Sequence, residues 1–256
     1  MDPVSLAALL AFAAIAAYVQ TLTGFALGLI MMGGVGLTGV IDLPQAAVLV
    51  SCLTFVNAVL VLAKGWRDIA MREFTSSMVA SAITLFAGYW LLGVMASASM
   101  DWLKLVLGCV IIVSSIQLAM KPVQFARPSS TFSFVCYGSI AGLMGGLFST
   151  SGPPLVYHFY RQPMRPVAIR ETLVAIFAAN ACIRLGIVAH SGDMPPANLW
   201  WGLLSIPVVI VFTLTAKKWP PPVSPLTMRR LAFVLLFLSG VSLATPAAYE
   251  ILFAPS

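Results

Sequence analysis

Charged side chains are scarce in this chain, at 9% of the residues, whereas hydrophobic residues make up 60% and the mean hydropathy is +0.99. A soluble domain of this size would need far more charge to cover its surface. The apolar runs last about 20 residues and lack the ten-residue alternation of a transmembrane barrel. The composition therefore predicts an all-α polytopic membrane protein, with the lipid bilayer as its surroundings.

Cysteine is also scarce, and its spacing matches neither a zinc site nor a disulfide framework. We interpret the cysteines as small packing residues, and we expect neither a metal nor a cofactor. The four residues, all in apolar runs, are Cys52, Cys109, Cys136 and Cys182.

No Walker A motif is present, which excludes nucleotide hydrolysis by this chain. Gly138, Gly142 and Gly146 repeat every fourth residue, but no strand and no Lys-Ser pair accompany them. We therefore expect a close helix contact at these glycines rather than a phosphate loop.

Basic residues lie mainly in four short segments between apolar runs, which the positive-inside rule assigns to the cytoplasm. The other connections, around Asp42, Asp101 and Asp193, and both termini are assigned to the outside. The net charge of +6 thus indicates orientation, and we expect no nucleic-acid partner. The cytoplasmic segments contain Lys64, Arg67, Arg72, Lys121, Arg127, Arg161, Arg165, Arg170, Lys217, Lys218, Arg229 and Arg230.

Two of the apolar runs, residues 4–38 and 131–160, are too long for one span. A helix of 30 residues would extend about 45 Å, against a hydrocarbon core of about 30 Å. Each run contains a polar break, at residues 20–24 and 149–154, and each begins and ends on one side of the membrane by the loop charges. We therefore expect two broken re-entrant hairpins, each made of two short helices. Ser151 is expected to cap the helix that begins at the Pro153-Pro154 pair.

The chain then divides into two repeats, each with one hairpin and three transmembrane helices. Because three crossings reverse the direction of the chain, the second repeat is inverted. LVSCLTFVNAVLVL is similar to LVAIFAANACIRLGIV, with Asn57 and Asn180 in matching places. The N-terminal repeat covers 1–125, with hairpin 4–38 and spans 44–63, 74–96 and 102–120. The C-terminal repeat covers 126–256, with hairpin 131–160 and spans 168–189, 197–216 and 229–248.

The hairpin tips bring hydrogen-bond donors into the membrane interior. The second helix of each hairpin begins near Gly24 and Gly152, where free N–H groups favour a sulfonate, sulfite, phosphate or carboxylate group and glycine lets the backbone approach it. We predict one site near the midplane where the tips meet; the alternative is that the polar residues only cap helix ends. The candidate substrate-binding residues are Gln20, Thr23, Gly24, Phe25, Asn57, Ser149, Thr150, Ser151, Gly152, Pro153, Asn180 and Arg184.

Three ionisable residues of the second half are candidates for a functional role. Arg184 lies deep inside a predicted span, where it either acts on the anion, by direct contact or by long-range positive potential, or instead pairs with backbone carbonyls or guards the outer entrance. His158 and Glu171 are candidates for proton-linked groups. The alternatives are a polar anchor for His158 and an ion pair of Glu171 with Arg170 or Arg165.

Three stretches, TGFALGLIMMGGVGL, GLMGGLFSTSGPPLVYHFY and RPVAIRETLVAIFAANACIRL, resemble the TauE/SafE family of sulfite exporters, also called the 4-toluene sulfonate uptake permease family. The resemblance extends over the whole chain. It implies transport of small sulfur-containing anions by a multi-pass protein of a bacterial cytoplasmic membrane. The positions that it marks are Gly24, Gly152, Pro153, Pro154 and Asn180.

Together these patterns predict a secondary transporter of an organosulfonate or sulfite, working by alternating access, and not an enzyme. Its expected partner is the small anionic substrate, and a homodimer is left open. One alternative is an intramembrane hydrolase that uses Ser149 or Ser151 with His158, although no neighbouring carboxylate would orient the histidine. The other alternative is a passive anion channel.

Overall fold

The computed structural model describes residues 3–120, 123–193, 202–219 and 225–253, which contain ten α-helices and no strand. Seven of these helices, α1, α3, α4, α5, α6, α8 and α10, contain a segment long and apolar enough to cross a membrane. The prediction of an all-helical polytopic protein is confirmed. The helices are α1 (Pro3–Thr23), α2 (Leu27–Thr38), α3 (Leu43–Gly65), α4 (Met71–Ala98), α5 (Met100–Ala119), α6 (Thr131–Phe148), α7 (Pro153–Tyr160), α8 (Pro166–Ser191), α9 (Ser205–Lys218) and α10 (Pro225–Phe253).

Both long apolar runs break where the polar residues predict a break, between α1 and α2 and between α6 and α7. Gly24 and Gly152 take positive φ angles of 81° and 63° at these points, a conformation that glycine adopts without a steric penalty. The expected start of α7 at the proline pair is confirmed. Ser151, however, does not cap α7: Gly152 occupies the N-cap position and makes no side-chain cap bond.

The first helix of each pair is longer than the short helix expected from the sequence. α1 has 21 residues and α6 has 18, against 12 in α2 and eight in α7. α1 continues to Thr23 because no glycine or proline interrupts residues 4–23. α6 tolerates its glycines because they pack directly against α4.

The α4–α6 contact depends on the glycine repeat. A Cβ atom at Gly138, Gly142 or Gly146 would overlap the backbone carbonyl oxygens of Ser77, Ser81 and Leu85, respectively. The two helix backbones therefore approach more closely than any side chain would permit. The expected close helix contact at these glycines is confirmed.

The helix contacts occur in matching pairs when the chain is divided between α5 and α6. α4 packs on α6 as α9 packs on α1, and α3 contacts α9 as α8 contacts α4. α2 contacts α10 as α7 contacts α5, while α3 packs on α8 and α5 on α10. α3 and α8 are the most deeply buried of the candidate spans, and they form the centre of the packing.

The structure agrees only partly with the interpretation of the cysteines as packing residues. All four are free, and Cys109, Cys136 and Cys182 are exposed on helix faces, so the packing role is wrong for these three. An uncharged thiol is small and apolar enough to face lipid without a partner. The first five residues of the predicted span 197–216 lie outside the described residues, as do both chain ends.

Candidate functional site

The two helix breaks contact each other. A Cβ atom added to Gly28, in the first turn of α2, would lie 2.9 Å from the Cβ atom of Thr150 and 3.0 Å from the carbonyl oxygen of Ser149. The glycine at position 28 therefore lets the start of α2 pack on the loop between α6 and α7. The structure brings together the two tips that the sequence places in different halves of the chain.

A cavity of about 20 Å³, here called the central cavity, lies at this contact. Both breaks line it, together with residues of α3 and α8. A space of this size holds about one water molecule. Its lining residues are Gln20, Phe25, Ala26, Gly28, Leu29, Thr54, Gly145, Ser149, Thr150, Ser151, Gly152, Pro153, Val156, Phe177, Asn180 and Ala181.

The break between α6 and α7 is held by polar side chains of α3 and α8, and a serine of α4 positions the α8 residue. Asn180 of α8 donates through Nδ2 to Ser151 Oγ at 2.9 Å and to Ser81 Oγ of α4 at 2.8 Å. Ser149 ends α6 with a φ angle of 55°, and its Oγ lies 2.6 Å from Ser51 Oγ of α3. These bonds fix the loop on the α3, α4 and α8 side.

The break between α1 and α2 is held in a corresponding way. Gln20 accepts the N–H of Leu27 through Oε1 at 3.0 Å and thereby caps α2 from the end of α1. Its Nε2 donates to Asn57 Oδ1 at 3.2 Å. Asn57, which is fully buried, donates to Thr21 Oγ1 at 3.0 Å and to Thr213 Oγ1 of α9 at 2.7 Å. Asn57 therefore hydrogen-bonds to the first break without lining the cavity, whereas Asn180 hydrogen-bonds to the second break and lines it.

Of the predicted binding residues, eight line the central cavity and four do not. Thr23 and Gly24 lie beside it: the Thr23 carbonyl accepts from Tyr160 Oη at 2.7 Å, and Gly24 packs against Arg170. A Cβ atom at Gly24 would lie 3.0 Å from the Arg170 Cγ atom and 3.2 Å from its Cα atom. The close approach that glycine permits there is to α8. Asn57 and Arg184 are the other two.

Arg184 lines a different cavity of about 260 Å³, here called the side cavity, with Tyr89 and Asp193. The arginine is 1% exposed and donates through Nη1 to the Gly146 carbonyl at the end of α6. Its guanidinium carbon lies 5.4 Å from the centre of the Tyr89 ring, and Tyr89 Oη donates to Asp193 Oδ2 at 2.8 Å. Pairing with a backbone carbonyl, one of the arrangements expected for Arg184, is therefore observed.

His158 lies in a buried aromatic environment away from the central cavity. Its ring stacks on Tyr137 at 4.2 Å, and Nε2 lies 3.3 Å from both Ser133 Oγ and Gln162 Nε2. The hydrogen-bond neighbours of His158 are thus Ser133 and Gln162, and neither Ser149 nor Ser151 bonds to it. The hydrolase alternative therefore lacks its serine–histidine pair.

Glu171 is buried near the start of α8. Its Oε1 atom accepts from Arg170 Nη2 at 2.6 Å, so the expected ion pair is confirmed.

The central cavity presents uncharged hydrogen-bonding groups. Its lining contains no carboxylate, and the Thr54 hydroxyl is buried with no hydrogen-bond partner among the described residues. In the first turn of α2, Gln20 takes the Leu27 N–H and Ala26 takes the Ile30 N–H, which leaves those of Gly28 and Leu29 free of a backbone acceptor.

The donors therefore come mainly from α2. The sequence predicts free N–H groups at the starts of both α2 and α7, but Pro153 and Pro154 in the first turn of α7 have no N–H group.

Thr54 lines the central cavity, and Ser51 and Ser81 hydrogen-bond to Ser149 and Asn180 of its lining, but none of the three stands out in the sequence. They lie in apolar runs, where a single hydroxyl residue attracts no notice. Ser51, Thr54 and Asn57 do repeat every third residue, and this polar stripe on one face of α3 is the signal that could have identified them.

Comparisons with known proteins agree with the resemblance seen in the sequence. Residues 9–243 match the family model described as "Sulfite exporter TauE/SafE". A "Probable sulfite/organosulfonate exporter TauE" of Cupriavidus necator is 36% identical over 230 residues, which cover 90% of each chain. A "Probable inner membrane transporter protein TsaS" of Comamonas testosteroni is 24% identical over 180 residues, 70% of this chain and 74% of that protein. No solved structure matches the chain.

Proposed function

Because the chain belongs to the sulfite exporter TauE/SafE family, we propose that it is a secondary transporter of a small sulfur-containing anion, an organosulfonate or sulfite. It acts in a bacterial cytoplasmic membrane, with both termini outside. The names of the two relatives support the substrate class and the membrane. Membership of a transporter family also agrees with the expectation that the chain is not an enzyme.

The observation that carries the proposal is that both helix breaks line one cavity without a carboxylate. A cation inside the membrane would need acidic ligands or a ring of carbonyls, whereas an anion needs donors. The Thr54 hydroxyl and the N–H groups of Gly28 and Leu29 are donors of this kind, and the N-terminus of α2 adds a partial positive charge. The substrate anion binds between these groups and the residues 149–152.

The predicted binding residues then divide into two kinds. Gln20, Phe25, Thr150, Ser151 and Asn180 face the anion, as do Ser149, Gly152 and Pro153. Asn57, Thr23 and Gly24 act by holding the first break in place. Arg184 lies at the side cavity instead.

Substrate binding requires the two breaks to separate, because a cavity of about 20 Å³ is smaller than a sulfonate group. The contact of Gly28 with Ser149 and Thr150 is the place where they part. We propose that the two halves, 1–125 and 126–256, are inverted repeats that move against each other to open the cavity to either side in turn. The matching helix contacts and the corresponding Asn57 and Asn180 networks support this division.

The test is uptake into proteoliposomes that contain the purified protein, with protein-free liposomes as the control. Sulfite, taurine, sulfoacetate and an aryl sulfonate are offered with and without a pH gradient, together with one neutral and one cationic solute. We expect saturable movement of at least one sulfur anion. Movement of the neutral or cationic solute alone would refute the proposal.

Counterflow distinguishes the transporter from a passive anion channel. Vesicles loaded with unlabelled substrate should accumulate external labelled substrate transiently above its equilibrium level, since a carrier exchanges one bound anion for another. A channel would give simple equilibration without the overshoot.

A further inference from the structure

The side cavity is larger than the central cavity, and one buried basic side chain, that of Arg184, lines it. It lies between the start of α3, the second half of α4 and the end of α8. Its volume of about 260 Å³ corresponds to several water molecules, enough for a small oxyanion with part of its hydration shell. Arg184 and Asp193 are the charged residues among those that line it.

Arg184 has a hydrogen-bond donor without an acceptor at this cavity, in the part of the chain that the structure describes. Nη1 is engaged by the Gly146 carbonyl, but Nε is buried and has no acceptor among the described residues. A buried N–H of a guanidinium group without an acceptor costs free energy unless a ligand supplies one. Two oxygen atoms of one oxyanion fit the fork of N–H groups that an arginine presents.

The neighbouring carboxylate is held away from this cation. Tyr89 Oη donates to Asp193 Oδ2 at 2.8 Å, while its ring lies beneath the guanidinium group of Arg184. Asp193 itself is exposed, and no ion pair joins it to Arg184 in the described part of the chain. The tyrosine therefore separates the two charges and leaves the arginine available to an external anion.

The two cavities are adjacent along α8. Asn180 lines the central cavity, and Arg184 follows it by four residues, a rise of about 6 Å. Arg184 Nη1 also lies 3.5 Å from the carbonyl oxygen of Gly145, which itself lines the central cavity. An anion that leaves the arginine therefore has one helical turn to travel to the hydroxyl and amide groups.

We propose that the side cavity is a second binding site for a small sulfur oxyanion, with Arg184 as its cationic ligand, and that it passes the anion to the central cavity. The proposal rests on the proposed function, since it takes the same substrate class. Asp193 opposes binding there through its charge, and Tyr89 limits that opposition.

The first measurement is equilibrium binding of radiolabelled sulfite to the protein in lipid nanodiscs. Wild type should bind about two equivalents and Arg184→Gln about one, since the central cavity has its own donors. One equivalent for wild type, or two for Arg184→Gln, would overturn the proposal.

The second measurement keeps the test independent of the Arg184 contact with α6, which could matter for folding. Asp193→Asn removes a negative charge from an exposed position and should lower the KM for sulfite uptake about 3- to 10-fold, as expected for charges several ångströms apart near a surface. Asp101→Asn, another partly exposed acid predicted on the same side of the membrane, is the matched control and should leave the KM unchanged.

The outcomes separate this proposal from the proposed function. If wild type transports sulfite while Asp193→Asn has the wild-type KM, the side cavity is not a substrate site and the transporter assignment stands. If wild type moves none of the sulfur anions, the transporter assignment itself fails.

Discussion

The hydroxyl of Thr54 on α3 differs from those of Ser149 and Ser151 at the second helix break. Ser149 pairs with Ser51, and Ser151 pairs with Asn180, whereas Thr54 Oγ1 is buried in the central cavity without a partner among the described residues. A buried hydroxyl left unpaired costs about 1–3 kcal/mol. A protein can carry such a cost at a binding site, because the bound substrate supplies the missing hydrogen-bond partner.

Thr54→Val keeps the shape of the side chain and removes the hydroxyl. We expect the affinity for the transported anion to fall roughly 10- to 100-fold, because a hydrogen bond to a charged group contributes about 1.5–3 kcal/mol. Thermal stability should be unchanged or higher, since an unsatisfied group is lost. The measurement is the KM for uptake in proteoliposomes together with the unfolding temperature.

Ser77→Ala is the control for this variant. The Ser77 hydroxyl is also buried without a partner in the described part of the chain, but the residue packs against Gly138 outside the cavity. It should leave the KM unchanged. A wild-type KM for Thr54→Val would remove Thr54 from the binding site.

For single residues, the sequence predicts which polar side chains interrupt an apolar run. Gln20, the residues 149–153 and Asn180 stand out as polar positions in a hydrophobic setting, and the structure places them around one cavity. It does not predict that Asn57 lies behind the cavity, or that Arg184 turns to a second one. Those placements depend on the rotation of α3 and α8 about their axes, which packing decides.

Among the elements, α2 is the one whose start forms the contact between the two breaks. The space at Gly28 is filled by the Ser149 carbonyl and the Thr150 side chain. Gly28→Ala should therefore push the breaks apart, destabilise the protein by about 1–3 kcal/mol and reduce uptake. Stability is measured by thermal unfolding of the purified protein, and uptake by its initial rate in proteoliposomes.

Gly186→Ala is the matched control because a Cβ atom there meets nothing within 4 Å. Alanine at an exposed helix position should stabilise α8 by about 0.5–1 kcal/mol and leave uptake unchanged. Equal behaviour of the two variants would contradict the close contact at Gly28.

The pair of α4 and α6 depends on glycine in a different way. Gly142→Ala places a methyl group against the Ser81 carbonyl and Thr84, so the two backbones must separate. We expect a loss of about 1–3 kcal/mol in stability, or a drop of about 2–4 °C in unfolding temperature per kcal/mol. An unfolding temperature equal to that of wild type would show that the helices can separate without cost.

The positions of the breaks could be predicted at the level of elements because glycine and proline determine them locally. The lengths of the helices on either side could not. α1 extends to Thr23 and reaches Tyr160 at the end of α7, a contact between residues 137 positions apart. No local pattern around Thr23 encodes that partner, which is set by the packing of the whole bundle.

The molecule as a whole is predicted to have its termini outside and its basic loops in the cytoplasm. A green fluorescent protein fused after residue 256 should therefore be dark in a bacterial host, and alkaline phosphatase fused there should be active. The same reporters fused within the segment 64–72 should give the opposite result. The inverse pattern at both places would reverse the assigned orientation of the two hairpins.

The sequence leaves a homodimer open for the whole molecule. The mass of the protein in native nanodiscs measures it directly, and a mass of one chain per disc across a range of protein concentrations would contradict it.

The lining of the central cavity contains no side chain that titrates near neutral pH. If the protonation of the complex between the central cavity and its substrate changes near neutral pH, the substrate itself is therefore the group that gains or loses the proton. Sulfite gains a proton near neutrality and a sulfonate does not, so the site should distinguish the two protonation states of sulfite while treating a sulfonate alike at every pH. An uptake profile that varies with pH for sulfite alone would identify the anion form that is carried. A profile that varies for both would point to titratable groups outside the lining of the central cavity.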